Sequence, residues 1–312
     1  MMKKDSKIFV AGHLGLVGSS VVRTLGERGY TNIVTRTRSE VDLLNQSQVE
    51  EFFRSEQIDY IFDAAARVGG IFANDHYSGE FIYENIQIQS NLIHYSWKYN
   101  VKKFLFLGSV CIYPKYAEVP VKEESLLTGY LEPTNDAYAV AKISGIKMLQ
   151  DYHKQYGFKS VSLMPSNLYG IGDNFHPENG HVIPSMMTKF NNSDGKSVTF
   201  WGDGTPMREF LYSDDLADAC LFAMEHYENA ELINVGSGEN VTIENLAKTI
   251  AGIVGYTGNI EWDTTRPNGT PNRPLDYSKM TELGWKPKHN LHQGLKKTYQ
   301  WFIENTYYDS SK

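Results

Sequence analysis

The 312-residue sequence predicts an α/β fold: a doubly wound parallel sheet with a second, smaller α/β lobe. Three observations carry this. Apolar runs alternate with helical patterns through the first half of the chain. A glycine triplet with a spacing of three follows the first apolar run. From about residue 165 the alternation gives way to loops rich in Pro, Gly and Asn.

In order, "KIFV" (7–10), "NIVT" (32–35), "YIFDAA" (60–65), "KFLFLGS" (103–109) and "SVSLMP" (160–165) read as buried parallel strands. Helices are expected between them at 17–28, 46–56, 80–99 and 137–156. The stretch "ELINVGSG" (231–238) reads as another strand, placed to rejoin the large sheet. Residues 1–164 are therefore expected to form a dinucleotide-binding domain, with segments near 210–240 returning to it. Residues 165–312 are expected to form mainly a substrate lobe, since long polar loops tend to line binding sites.

The triplet is Gly12, Gly15 and Gly18 in "AGHLGLVGSS". In a strand–turn–helix the first glycine permits the tight turn. The second lets the backbone approach a pyrophosphate, and the third lets the helix pack close to the strand. A plain Gly-rich turn has the same letters; the strand before and the helix after favour the dinucleotide turn of a Rossmann sheet. In the usual fingerprint an acid about 20 residues on holds the ribose 2′-OH. Here Arg36 and Arg38 stand in that place, in "VTRTRSE". Arginine pairs with a 2′-phosphate, which favours NADP(H) over NAD. Solvated surface arginines are the plainer alternative.

Net charge is −7, which argues against a nucleic-acid footprint. The two cysteines, Cys111 and Cys220, suggest no disulfide framework, and no CxxC or HExxH points to a metal. No apolar run reaches the roughly 18 residues of a membrane span. The cytoplasm is the expected compartment.

"AYAVAKISG" places Tyr138 and Lys142 four apart on one helix face. A neighbouring ammonium is expected to lower the phenol pKa, making Tyr138 a usable proton donor to a developing alkoxide. Lys142 can also bond a cofactor ribose. Ser109, in "LGSVCIYP", sits at the end of the fourth strand, where open α/β sheets bind ligands. Its hydroxyl can polarise a carbonyl. Together these residues point to hydride transfer to a carbonyl.

The glycine turn, the Ser and the Tyr–x–x–x–Lys resemble the extended short-chain dehydrogenase/reductases. "AAARVGGI", "LGSVCIYPK", "EPTNDAYAVAKISGIK", "MPSNLYGIGDNFHPENGHVIP", "WGDGTPMREFL" and "NGTPNRPLD" resemble the GDP-L-fucose synthase family over roughly residues 7–305. The resemblance implies NADPH-dependent reduction at C4 of a GDP-4-keto sugar, C3/C5 epimerisation of GDP-4-keto-6-deoxy-mannose, and a homodimer. It adds His13, Leu14, Leu16, Val17, Asp42, Leu43, Leu107, Gly108, Pro165, Asn167, Leu168 and His181 to the cofactor contacts. It implies Cys111 as base and His181 as acid, with Asn167, Lys189, Trp201, Arg208 and Arg273 on the GDP-sugar.

Epimerisation next to a ketone does require a base and an acid on opposite faces. If the fourth strand continues, alternation puts Ser109 and Cys111 on one side and turns Val110 away. Each has a plainer alternative: Cys111 as a small buried hydrophobe, His181 as a helix-capping loop residue, Trp201 as lobe core. Leu14, Val110 and Lys189 depart from the family pattern, where Arg, Ser and Arg are usual. Two enzyme readings therefore stay open: the bifunctional synthase, and a reductase of a related GDP-4-keto sugar such as a heptose, epimerised by a separate enzyme. A catalytically silent NADP-binding regulator is a third. For the dimer, helices 80–99 and 137–156 offer apolar positions such as Phe81, Ile143 and Met148.

Overall fold

The computed structural model describes residues 2–177, 180–266, 268 and 273–306. The first half follows strand–helix alternation: β1 Ile8–Ala11, α1 Leu16–Glu27, β2 Ile33–Val34, α2 Gln46–Glu56 and β3 Tyr60–Asp63. Then come α3 Ile71–His76, α4 Ser78–Lys98, β4 Lys103–Leu107, α5 Asp136–Tyr156 and β5 Ser160–Pro165. The second half holds β6 Asn167–Tyr169, α6 Val182–Asn191, β7 Val198–Trp201, β8 Met207–Tyr212, α7 Ser213–His226 and β9 Leu232–Val235. It ends with β10 Asn240–Thr242, α8 Ile243–Val254, β11 Ile260–Asp263, α9 Ser278–Glu282 and α10 Leu291–Thr306.

Six parallel strands form the large sheet in the order β2-β1-β3-β4-β5-β9. Strands β1, β4, β5 and β9 are buried along their whole length, which explains their unbroken apolar runs. Alternation sorts their side chains. Phe9, Ala11, Ile61, Phe104 and Phe106 join the core beneath α2, α4 and α5. Ile8, Val10, Phe62, Leu105 and Leu107 join the opposite core, beneath α1 and α7. The helices start and stop where the local chemistry directs. Asn45 caps α2 by accepting from the Ser47 and Gln48 amides, and Gly157 ends α5 at φ +69°.

The smaller part has its own core around Ile183, Met187, Phe190, Phe200, Phe210, Leu246, Ile250 and Leu295. It carries a three-stranded sheet, β10-β8-β6, and a two-stranded one, β11-β7. Strand β9 pairs with β5 and lies in the large sheet, and α7 packs on α1. Among the described residues no helix is long and apolar enough to cross a membrane.

Two expectations are corrected by this architecture. The fourth strand does not run on to residue 109: it ends at Leu107, and Val110–Ile112 is a 3-10 turn. Two of the three apolar residues offered for a dimer face are inward, while Met148 is half-buried. Phe81 and Ile143 are buried in the protomer, because α4 and α5 pack closely on each other and on the sheet.

Candidate active site

The sheet order reverses between β1 and β3: β2 lies on one side of β1 and everything later on the other. Ligands bind in the crevice at such a switch point, outside the carboxyl ends of the strands. A cavity of about 1120 Å³ opens there, between the large sheet and the smaller part.

The glycine turn forms one end of the cavity. Gly12 adopts φ +75°, a left-handed conformation that suits glycine. A Cβ on Gly18 would stand 2.1 Å from the Gly12 carbonyl oxygen, so only glycine lets α1 approach β1 this closely. Gly15 is the N-cap of α1, and a Cβ there would meet nothing nearer than 3.5 Å. The first turn of α1 has no acidic residue, so its N-terminal amides face the cavity with their dipole uncompensated. This cradle fits the diphosphate of a nicotinamide dinucleotide. His13, Leu14, Leu16 and Val17 line it alongside Gly12 and Gly15, while Gly18 lies behind the wall as a packing residue.

Arg36, Arg38, Asp42 and Leu43 line the region beyond β2. The two arginines differ. Arg36 is paired with Glu56 and lies over the Phe52 ring. Among the described residues Arg38 makes only a long contact to Asp42, at 3.6 Å, and its side chain is 72% exposed.

Gly108, Ser109 and Tyr138 share the adjoining wall. Ser109 is the N-cap of the 3-10 turn, and its Oγ accepts from the Cys111 amide at 3.5 Å. Val110 lines the cavity beside it rather than turning away. Tyr138 opens α5, edge-on to Phe81 with centroids 6.4 Å apart. Lys142 lies one helical turn further on, behind the wall. Its Nζ donates to the Leu107 carbonyl at 2.9 Å and sits 5.8 Å from the Tyr138 ring centre. The expected lowering of the phenol pKa is overturned. Burial, with help from Cys111 and Asp63, pushes Tyr138 well above its ordinary value. Desolvation of a phenolate here outweighs the nearby ammonium.

Cys111 is buried beneath Ser109 rather than lining the cavity, and burial pushes its thiol up to about 11. The Ser109 contact and the charges of Lys142 and Arg273 oppose that rise. Across the cavity, His181 is the N-cap of α6 without a side-chain cap bond. The ring Nδ1 lies 3.7 Å from Asp173, whose carboxylate raises the His181 pKa.

Pro165, Asn167 and Leu168 form the floor below the end of β5. Asn167 donates to the Glu209 carbonyl at 2.9 Å. Trp201 and Arg208 stand on the wall contributed by the smaller part. Trp201 is 69% exposed, which rules out a core role, and Arg266 lies 5.1 Å from its ring centre. Burial, with a lesser contribution from the Arg273 charge, lowers the Arg208 pKa. Arg273 is held by the Pro114 carbonyl at 2.8 Å. Arg273, Leu107 and Lys189 lie off the cavity wall; the Lys189 Nζ is 5.6 Å from the Phe200 ring centre. Residues 178–179 and 269–272, within two of the sequence motifs, lie outside the described residues.

The motif reading missed Ala64, Ala65, Ala66, Asn74 and Ser166, which also line the cavity. The first three directly follow the third strand, and the carboxyl-edge rule for parallel sheets could have found them.

The comparisons agree with this geometry. Residues 8–236 match the model of the NAD dependent epimerase/dehydratase family. GDP-L-fucose synthase 1 of Arabidopsis thaliana is 52% identical over 308 residues, covering 98% of this chain and 95% of that one. A GDP-L-fucose synthetase from Naegleria fowleri bound to NADP superposes with a TM-score of 0.92 at 30% identity, over 100% of this chain and 96% of that one. A GDP-mannoheptose C4 reductase from Campylobacter jejuni with NADP bound gives 0.90 at 37%, over 97% and 100%. The chain belongs to the NAD dependent epimerase/dehydratase family and, within it, to the GDP-L-fucose synthases.

Proposed function

We propose that this enzyme makes GDP-L-fucose from GDP-4-keto-6-deoxy-mannose, epimerising C3 and C5 and reducing C4 with NADPH. The observation that carries the reading is one cavity lined by the glycine turn, Ser109 and Tyr138, in a chain 52% identical to a GDP-L-fucose synthase. When bound, NADPH supplies the hydride for C4. The turn holds its diphosphate, and Arg38 takes the 2′-phosphate.

Ser109 donates to the C4 oxygen and polarises the ketone. Tyr138 gives that oxygen its proton; the raised pKa keeps the phenol protonated until the oxygen gains charge. Lys142 stabilises the phenolate left behind. Before reduction, the protons on C3 and C5 are acidified by the C4 ketone. The resemblance assigns removal of each from one face to Cys111, which has to reach the cavity from beneath Ser109 in its minor thiolate form, and delivery of a proton to the other face to His181. Asp173 supports that role by favouring the protonated imidazole. Arg208 and Arg273 hold the GDP diphosphate, and Trp201 covers the nucleotide at the rim. Lys189 and Asn167 are assigned to the same ligand at longer reach.

The test is NADPH oxidation with GDP-4-keto-6-deoxy-mannose, followed by NMR of the product. In D₂O without NADPH, deuterium should enter C3 and C5, and Cys111→Ser should nearly stop that exchange. Reduction without any exchange in the wild type would favour the second reading, a reductase acting on an already epimerised sugar such as a heptose, as the Campylobacter structure suggests.

We also infer a homodimer built on α4 and α5. Its support is the exposed apolar surface of Tyr83, Val140 and Tyr156 on those helices. Light scattering at micromolar concentration should give twice the protomer mass; a monomer mass rules it out.

A further inference from the structure

Asp63, the last residue of β3, is 1% exposed. Its Oδ1 accepts from the Ala65 amide at 3.1 Å, while Oδ2 has no hydrogen-bond partner among the described residues. A buried carboxylate with an idle oxygen is costly unless a cation stands near it.

The strand register shows where that oxygen looks. Asp63 is level with Ala11 on β1 and Phe106 on β4, and both belong to the core beneath α4 and α5. Residues in register on parallel strands project to one face. Asp63 therefore projects to the face where Lys142 Nζ lies 4.7 Å from the Phe106 ring centre. Lys142 is itself buried, and of its three donor protons one goes to the Leu107 carbonyl.

The groups facing Lys142 come from three elements. Asp63 comes from β3, Cys111 from the turn after β4, and Tyr138 from its own helix. From α4 the neighbour is neutral: Gln89 donates to the Ala141 carbonyl. At neutral pH, Cys111 and Tyr138 are both protonated, since burial raises each. That leaves Asp63 as the negative charge in the group. The interaction is mutual: burial pushes the Asp63 carboxyl up to about 6, and Lys142 pulls it down.

We propose that Asp63 is a positioning residue of the reduction, the counter-charge that keeps Lys142 an ammonium ion behind Tyr138. The proposal rests on the roles assigned above to Tyr138 and Lys142. Without Asp63, desolvation acts on Lys142 unopposed by a full charge, and the ammonium is lost at lower pH.

Asp63→Asn keeps the shape and removes the charge. The alkaline limb of kcat/KM for reduction should move down by about one to three pH units, the range for an opposite charge at close approach. A rate loss equal at every pH, with the limb unmoved, overturns the proposal. A second measurement needs no turnover: the melting temperatures of Asp63→Asn, Lys142→Met and the double variant. Lys142→Met should cost more in the wild-type background, where it strands the buried carboxylate, than in Asp63→Asn. Additive losses overturn the pairing. If the protein fails to turn over the ketone, the functional reading fails while this cycle still decides the contact. Asp63→Leu replaces Asn in both measurements if the Asn variant does not fold.

Discussion

Arg38 reaches Asp42 only at 3.6 Å, whereas two residues earlier Arg36 is locked to Glu56. The arginine with the looser partner has its guanidinium available for a ligand.

Arg38→Ala should therefore weaken NADPH about 10- to 150-fold, since a charged hydrogen bond contributes about 1.5–3 kcal/mol. NADH, lacking the 2′-phosphate, should bind almost unchanged. Fluorescence titration of the two cofactors checks this, and equal losses would remove Arg38 from the phosphate site.

The two glycines of the turn should part company. Gly18→Ala drives a methyl into the Gly12 carbonyl and should cost about 3 kcal/mol of stability, the upper end for overpacking, because backbone cannot step aside. Gly15→Ala has open space and should stay within about 1 kcal/mol of wild type, the usual cost at an N-cap. It should nonetheless bind NADPH much more weakly, because the methyl occupies the diphosphate's approach. Thermal melts and cofactor titration on both variants separate the roles.

Tyr138→Phe should abolish reduction through kcat while leaving the NADPH affinity as it was. The hydroxyl is needed only as the carbonyl oxygen gains charge. Near-normal turnover would take Tyr138 out of the proton-donor role.

Cys111 should alkylate slowly. With its thiol pushed up to about 11, it holds about 100-fold less thiolate at pH 8 than an ordinary cysteine, and burial slows access further. The sign follows: each pH unit between 8 and 10 should speed its reaction with iodoacetamide about tenfold, as thiolate rises toward a distant midpoint. Mass spectrometry of the Cys111 peptide measures it. A rate that levels off near pH 9 contradicts the buried-thiol assignment.

Much of the fold was legible because period and punctuation agree. The glycine spacing predicted the turn whose crowding at Gly18 is now visible, and apolar runs predicted strands that are buried on both faces. What escaped was set by neighbours distant in sequence. The alternation carried from β4 through Ser109 to Cys111 failed because the chain leaves the sheet at Leu107 and tightens into a 3-10 turn. The Tyr138 shift had the wrong sign because a four-residue spacing reveals an ammonium but not the desolvation around it. Phe81 and Ile143 read as outward helix positions because a helix alone does not show which side its partner covers. Asp63 was hidden in plain view: inside "YIFDAA" it looks like a strand residue.

The core of the smaller part draws on stretches on both sides of β9. Ile183, Phe190, Phe200 and Phe210 come before that strand; Leu246, Ile250 and Leu295 come after it. As the chain emerges from a ribosome, the sheet that holds the cofactor cradle can close once β9 arrives. The smaller part must then wait with its aromatic side chains uncovered until α8 and α10 are made. Truncation at residue 236, where the family match ends, would strip Leu246, Ile250 and Leu295 from that core, and Met280 and Trp285 from the core beneath α1 and α7.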